Sequence, residues 1–410
     1  MKNLRYRQRN PLRLLISTAL VASVLTLSSD LFRDSGRVWA MEWSIQGTIT
    51  QEVNYDDNVR LESNNETDSF ASITTPELFI SGQSPTTEVE INPRLRAGVF
   101  TDNSSLNFFD QYLDLSATRL LQTGDFGLNT TFSREATLET ENTDTGRNSD
   151  DGERLGARAQ PFYTFGVSER DRIRFAGQFE KVDYQNSGDD DLDDFTVIGG
   201  SVGYGHDLTL TDEVGATLNY RHFNNDDDSR EESDIVGLEG VWRHHPSERL
   251  TTEFAPGIRY IWEDNRRAGG GTKSDQQLGG TVRTSVDWEV DERTGLNFLL
   301  SRGLEPSGDG NIRLRDRIGL NVRHLFTQRL SLRLHSQYVR TAEGTALGFS
   351  DAERDFIRIR PSLAYNLTRD WTVSGGYQLR WEDDRDDPDT ATSNLLFLQL
   401  SYDTPVWNFD

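Results

Sequence analysis

Residues Ile312 to Arg340 read IRLRDRIGLNVRHLFTQRLSLRLHSQYVR, two alternating runs joined by Phe326-Thr327-Gln328-Arg329. In the first run Ile312, Leu314, Ile318, Leu320 and Val322 share one face, and Arg313, Arg315, Arg317, Asn321 and Arg323 share the other. In the second, Leu330, Leu332, Leu334 and Tyr338 oppose Ser331, Arg333, His335 and Gln337. A period of two belongs to β-strands, whose successive side chains point to opposite faces. A soluble sandwich also alternates, but its apolar face points at a core. Here a ladder of arginines occupies the second face, so the question is which side of the sheet is inside.

The chain opens with Lys2, Arg5, Arg7, Arg9 and Arg13, followed by an apolar run from Leu14 to Leu27 and a polar stretch ending Val38-Trp39-Ala40. Residues 1–40 read as a secretory signal peptide, because the apolar run is too short to span a bilayer as a helix. That leaves 41–410 for the folded protein. Taking the leader's seven basic and two acidic groups from 43 and 67 leaves 36 against 65, a net charge of −29. So acidic a chain does not bind nucleic acid through phosphate contacts, which need clustered cations. Cysteine is absent, which excludes disulfides and thiolate chemistry.

The hydrophobic fraction is 34% and mean hydropathy is −0.65, low for a soluble domain of this length. Disorder does not explain the 10% of aromatic residues, which fall in strict alternation. A transmembrane barrel does, since half of each strand faces lipid while lumen and loops are polar.

About 18 alternating runs follow Glu42, with 16 the alternative count. Tight connectors such as Gln122-Thr123-Gly124, Ser168–Asp171, Thr211-Asp212 and Thr368–Asp370 alternate with long ones near 55–68, 138–151, 185–193, 225–233, 264–274, 305–311, 342–354 and 383–392. Short periplasmic turns and long outer loops give this alternation. The expected fold is all-β, a transmembrane antiparallel up-and-down barrel. In the run 370–382, Trp371, Tyr377 and Trp381 share the apolar face with Val373 and Leu379. Trp371 and Trp381 are ten residues apart, roughly 33 Å along a strand and about 25 Å of membrane once tilted. These three are expected to form part of the lipid-face girdle. Pro76, Pro93, Pro161, Pro256 and Pro361 lie within strands and predict bulges, because proline donates nothing to a ladder.

The acidic runs Gly188–Asp194, Asn225–Glu232 and Glu382–Asp387 read as solvated loops; none has the spacing of a calcium loop. Gly199-Gly200-Ser201-Val202-Gly203 matches a nucleophile elbow in letters but sits inside an alternating strand. Gly269-Gly270-Gly271-Thr272-Lys273 lacks the spacing of a phosphate loop. His244 and His245 are adjacent, so they point to opposite faces and cannot share a metal. His335 has no nucleophile at a telling spacing. No catalytic residue, metal or cofactor is assigned, and the chain reads as a non-enzyme.

The arginines carry the functional signal. Beyond Arg313, Arg315, Arg317, Arg323 and Arg333, the polar face collects Arg94, Arg96, Arg158, Arg174, Arg259, Arg283, Arg358, Arg360 and Arg380, with Glu90, Glu180, Glu239 and Asp287 among them. A charged side chain costs roughly 2–4 kcal/mol at the lipid-facing midplane. The arginine face is therefore expected to line the pore, while Ile318, Leu320, Val322, Leu332 and Leu334 face lipid. Asp316, on the apolar face, is expected at the outer rim. Rings of basic side chains favour anions; ion pairs with Glu and Asp would brace the wall instead. Both readings stay open.

Trp43-Ser44-Ile45, then Val53-Asn54-Tyr55-Asp56-Asp57-Asn58-Val59-Arg60-Leu61, then Thr74-Thr75-Pro76-Glu77-Leu78, with strands to the end, resemble the outer-membrane β-barrel porins of the β-barrel porin 2 type. Some of these accompany exopolysaccharide gene clusters or PEP-CTERM sorting systems. The resemblance implies a Gram-negative outer-membrane channel, with outer-membrane lipid, lipopolysaccharide and the barrel-assembly machinery as partners and small hydrophilic solutes or polysaccharide as cargo. The expected function is a porin-like channel for hydrophilic, anionic solutes. Exopolysaccharide export and a structural or adhesive barrel with a blocked lumen are the alternatives. Such barrels usually end on an aromatic residue, whereas here Phe409 is penultimate.

Overall fold

The computed structural model describes residues 41–410, apart from 102, 141–151, 186–191, 226–230, 268–270, 309–311, 343–352, 386–388 and 410. The leader at 1–40, the glycines 269 and 270 and parts of the three acidic runs lie outside the described residues.

Residues 42–410 form one antiparallel sheet closed on itself. Its first strands are β1 (Glu42–Asp56), β2 (Ser69–Gln83), β3 (Thr87–Phe100), β4 (Phe108–Leu121), β5 (Gly124–Ala136) and β6 (Glu153–Gly166). The next are β7 (Asp171–Gln185), β8 (Phe195–Asp207), β9 (Asp212–Asn225), β10 (Glu231–Ser247), β11 (Leu250–Arg267) and β12 (Gly271–Asp291). The last are β13 (Thr294–Pro306), β14 (Ile312–Leu325), β15 (Leu330–Ala342), β16 (Arg354–Asn366), β17 (Trp371–Asp384) and β18 (Ala391–Asp403), with a short β19 (Trp407–Phe409). Each strand pairs with its sequence neighbour, and β1 closes the circle on β18 through pairs such as Asn54↔Phe397. The 18-strand barrel expected from the alternation is therefore the observed fold.

One end of the barrel carries tight turns and the other the long connectors. At the turn end a Ser or Thr hydroxyl recurs as the local brace. Ser168 Oγ accepts from the amides of Arg170 and Asp171 at 3.1 Å each. Thr209, Thr327 and Thr368 accept pairs of amides in the same way. Such side chains supply the acceptor that a short turn otherwise lacks. Gly124, at φ +156°, leaves no room for a Cβ, which would stand 1.9 Å from the Thr164 carbonyl oxygen.

The predicted proline bulges are not observed. Pairing steps past Pro161 from Ala159↔Phe179 to Phe162↔Ala176 with no slip, and likewise past Pro256 and Pro361. On their other flank these prolines pair in register, as in Pro161↔Leu128 and Pro361↔Leu334. Pro76 and Pro93 behave alike. The reason is geometric. A residue's N–H and C=O point to the same neighbouring strand, so proline weakens the ladder on one side only.

A one-residue shift does occur next to Pro405. β1 pairs with β18 as Thr48↔Asp403, but with β19 as Ile45↔Trp407 and Trp43↔Phe409. The extra residue reverses which face odd-numbered side chains occupy. Trp407 and Phe409 therefore join Trp43 and Ile45 on the convex face. Inserting one residue after Pro405, with the single-residue bulge kept, should turn both aromatics inward and cost about 1–3 kcal/mol. Pro405→Ala should leave them in place. Heat-dependent gel mobility of the refolded barrel distinguishes the two variants.

Candidate functional site: a barrel interior packed from two sides at its loop end

The arginine face is the concave one. Side chains converge inside a curved sheet, and contacts skip over strands only there. Arg360 on β16 reaches Glu52 on β1 at 3.1 Å, across β17 and β18. Arg221 on β9 and Arg259 on β11 both donate to the Leu304 carbonyl on β13, at 3.4 and 3.3 Å. Following the register around the sheet puts all the sequence-predicted arginines on this face: Arg94, Arg96, Arg158, Arg174, Arg259, Arg283, Arg313, Arg315, Arg317, Arg323, Arg333, Arg358, Arg360 and Arg380. Arg154, Arg172, Arg221, Arg243 and Arg354 belong to it too; sequence analysis passed over them although their alternation is the same.

The convex face is apolar. Ile198, Val202, Leu218, Leu238, Ile258, Leu396 and Leu398 are exposed along it. Aromatic residues mark its two limits. Trp371 stacks near Tyr402 at the turn end, with ring centroids 4.8 Å apart, and Trp381 stands at the loop end. Tyr377 lies between them, its hydroxyl donating to Asn394. At the loop end Tyr55, Tyr220 and Tyr338 give their hydroxyl protons to Asp68, Asp234 and Asp355. At the turn end Tyr204 and His206 share Asp171, and Trp242 and His244 share Asp212. Asp316 lies one step loopward of Ile318 on this face. It is opposite Arg340 and 3.7 Å from Arg302, in a charged row that continues through Asp355 and Asp383.

The two halves of the interior differ. Towards the turn end, concave residues such as Asn297, Asn321, Arg323, Arg333 and His335 are exposed although they point inward, so open space faces them. Towards the loop end the interior is filled from two sides.

The first plug is the end of the β13–β14 hairpin. Pairing between β12 and β13 stops at Val282↔Arg302, whereas β11 and β12 stay paired out to Arg267↔Gly271. Beyond Arg302 the hairpin leaves the wall and leans inward. Leu304, Ile312 and Leu314 continue the apolar face of Ile318, yet they pack inside the barrel against Val182, Phe195, Val197, Phe223, Ile235 and Ile261. The concave face of β7–β11 is thus apolar at its loop end, not polar as expected of the whole lumen. Polar contacts fix the hairpin. Arg221 and Arg259 hold the Leu304 carbonyl, the Asp193 amide donates to the Gly308 carbonyl at 2.7 Å, and Glu305 pairs with Arg315 and Arg317.

The second plug is the β1–β2 connector. Leu61 is fully buried against Val339, Phe356 and Ala391, and it holds a φ of +54°. A left-handed conformation is costly for leucine, and burial of its side chain offsets it. Arg380 secures the connector, donating to Asp56 Oδ2 at 2.7 Å and to the carbonyls of Asn58 and Val59 at 3.0 and 3.3 Å. Beside it Arg354 and Glu382 pair at 2.5 Å.

The predicted pore-lining arginines therefore fall into two environments. The Arg315 and Arg380 side chains are 3% and 4% exposed and are consumed by the plugs, whereas Arg158 and Arg283 are 51% and 52% exposed. Many are ion-paired, as in Arg158–Glu180, Arg259–Glu239 and Arg283–Glu253. Arg94 and Arg174 lie over the rings of Tyr112 and Phe162. His335 Nδ1–H donates to Asn321 Oδ1, and Ser201 sits within strand β8. Among the described residues no cluster of three His, Cys, Asp or Glu could hold a metal ion.

No protein-family model matches the chain, and no curated protein matches it. Similar solved structures include Acinetobacter baumannii OccAB3, at 8% identity over 90% of this chain and 99% of that one, with a TM-score of 0.40. The outer membrane protein opdK of Pseudomonas aeruginosa is 11% identical over 88% of this chain and 99% of that one, with a TM-score of 0.40. The open form of the ferric-catecholate import receptor Fiu of E. coli K12 is 8% identical over 87% and 81%, with a TM-score of 0.45.

Arg380→Met should strand the buried Asp56 carboxylate and free the connector. Removing one partner of a buried pair costs about 3–5 kcal/mol. Limited proteolysis between Asp57 and Asp68 should accelerate, and the double variant with Asp56→Ala should recover part of the loss.

Proposed function

We propose that this chain is an outer-membrane channel that passes hydrophilic, anionic solutes through a water-filled interior, with no bond chemistry. The observation that carries the reading is the reversed polarity of the sheet. Its outside is apolar between two aromatic rows, and its inside carries the charged side chains. Only a closed sheet satisfies every backbone group in lipid, and this sheet is closed. The turn end then faces the periplasm and the loop end the cell exterior. Residues 1–40 act as the export signal, and the convex aromatics Trp407 and Phe409 offer the barrel-assembly machinery its terminal feature. The reading accords with the resemblance to the β-barrel porin 2 type.

Anion preference rests on the sector β13–β17. Its concave face bears Arg313, Arg315, Arg317, Arg323, Arg333, Arg354, Arg358, Arg360 and Arg380, against Glu305 and Glu382 and, from β1 and β12, Glu52, Asp287 and Glu289. On β9–β11, by contrast, Arg243 and Arg259 are matched by Glu213, Glu253 and Glu239.

The two plugs favour a second reading, in which the outer mouth is shut and the barrel is structural or adhesive. Planar-bilayer recording separates them. Under the first reading the purified barrel conducts, and replacing Gly303–Leu314 by a short turn raises its conductance severalfold. Replacing Arg317, Arg358 and Arg360 by Ser should move the reversal potential towards that of a non-selective pore. No current from the intact barrel, with current appearing once the hairpin end is removed, would support the closed barrel instead.

A further inference from the structure

Arg323 on β14 and Arg333 on β15 face each other directly in the antiparallel register, both on the concave face and both exposed. Directly opposed residues have Cβ atoms about 4.5–5.5 Å apart, and like charges in that arrangement destabilise a sheet. A carboxylate between them would be the ordinary remedy. None is present: among the described residues neither guanidinium has an ion pair or a side-chain hydrogen bond. Several other arginines on the same face meet a carboxylate, as Arg360 meets Glu52 and Arg317 meets Glu305, and Arg380, which stands opposite Arg358, pairs with Asp56; Arg94 and Arg174 lie over aromatic rings.

The pair sits in a cleft of about 570 Å3 on the inner wall near the turn end. His335, Arg360, Asn297 and Asn321 line it as well. Its carboxylates, Glu248, Asp287 and Glu289, are on β11's preceding turn and on β12, and none is paired with Arg323 or Arg333. Asn297 and Asn321 bond to each other at 3.2 Å, and Asn321 to His335 at 2.6 Å. Asn297 also donates to Asp287, so the amides are engaged; Arg249 lines the cleft too, but Arg323 and Arg333 are the two guanidiniums that face each other across one ladder. Each offers a planar fork suited to two oxygens of one anion.

We propose that Arg323 and Arg333 form a binding site for a multivalent oxyanion, of the phosphate or dicarboxylate kind, in the vestibule at the turn end. A doubly charged solute neutralises both arginines at once and removes their mutual repulsion, whereas chloride neutralises one. The site rests on the proposed membrane topology for its sidedness, and there it holds solutes on the periplasmic side of the plugs. It deepens the anion preference by giving it a place and a valence.

Isothermal titration of the refolded, detergent-solubilised barrel with inorganic phosphate at mildly alkaline pH tests the site without requiring conduction. Wild type should bind phosphate in preference to chloride. Each of Arg323→Ser and Arg333→Ser should weaken binding about tenfold or more, the loss expected with one charge-assisted contact. Arg333→Glu, which supplies the missing carboxylate, should abolish binding while keeping or raising thermal stability. Equal phosphate binding by wild type and all three variants, or none by a folded wild type, overturns the site. In bilayers, phosphate should reduce current when added from the turn side and should do so less in the variants. A barrel that binds phosphate but never conducts would remove the channel reading and leave the site. A barrel that conducts anions without binding phosphate at these arginines would do the reverse.

Discussion

Closure of the β1–β18 ladder is the constraint on which everything else depends. An open sheet of this composition would expose an unpaired edge beside a broad apolar face. Pairing Asp56 through Thr48 with Leu395 through Asp403 removes that edge, and β19 extends the seam to Phe409. Once the circle is closed, the alternation of each strand becomes a division between inside and outside. The charged half of the sequence then shares an enclosed space, where arginines and carboxylates from distant strands meet.

Within that closed wall the β12–β13 seam is the place where pairing is given up. The hairpin beyond Arg302 exchanges ladder hydrogen bonds to β12 for apolar contact with the opposite wall. Burial of Leu304, Ile312 and Leu314 contributes roughly 1.5–3 kcal/mol per side chain by area, and Arg221 and Arg259 add charge-assisted contacts to one carbonyl. The β1–β2 connector reaches the same end from the other side through Leu61 and Arg380. The result is an interior with a polar, open vestibule at the turn end and a packed half at the loop end. Any solute path must be set by these two elements.

The division of faces was legible in the sequence because a period of two admits no other solution. The antiparallel barrel and its tight turns follow from it, while the strand count stayed open between 18 and 16 until the pairing closed on 18. The plugs were not legible. Ile312 and Leu314 have the same alternation as Ile318, and nothing local says that the strand has left the wall. The available signal was on the other strands: the polar face turns apolar at Val182, Val197, Phe223, Ile235 and Ile261, and apolar side chains inside a barrel need a partner. Proline was misjudged for a different reason, since its missing donor affects one neighbour and leaves the register intact. The roles of the arginines depend on which carboxylate each meets, and those partners are separated by as many as 324 positions, as in Arg380 and Asp56.

The extra residue beside Pro405 has a consequence for how such a chain can change over evolutionary time. In a strand, a single insertion or deletion exchanges every later side chain between lipid and water, so viable length changes come in pairs. Trp407 to Phe409 already stand one step out of phase with β18. A segment between β18 and β19 lengthened by one residue would move Trp407 and Phe409 out of line with Trp43, whereas one shortened by one residue would run on in the register of β18 and keep them opposite Ile45 and Trp43. Strand β19 can thus vary in length independently of the wall beside it.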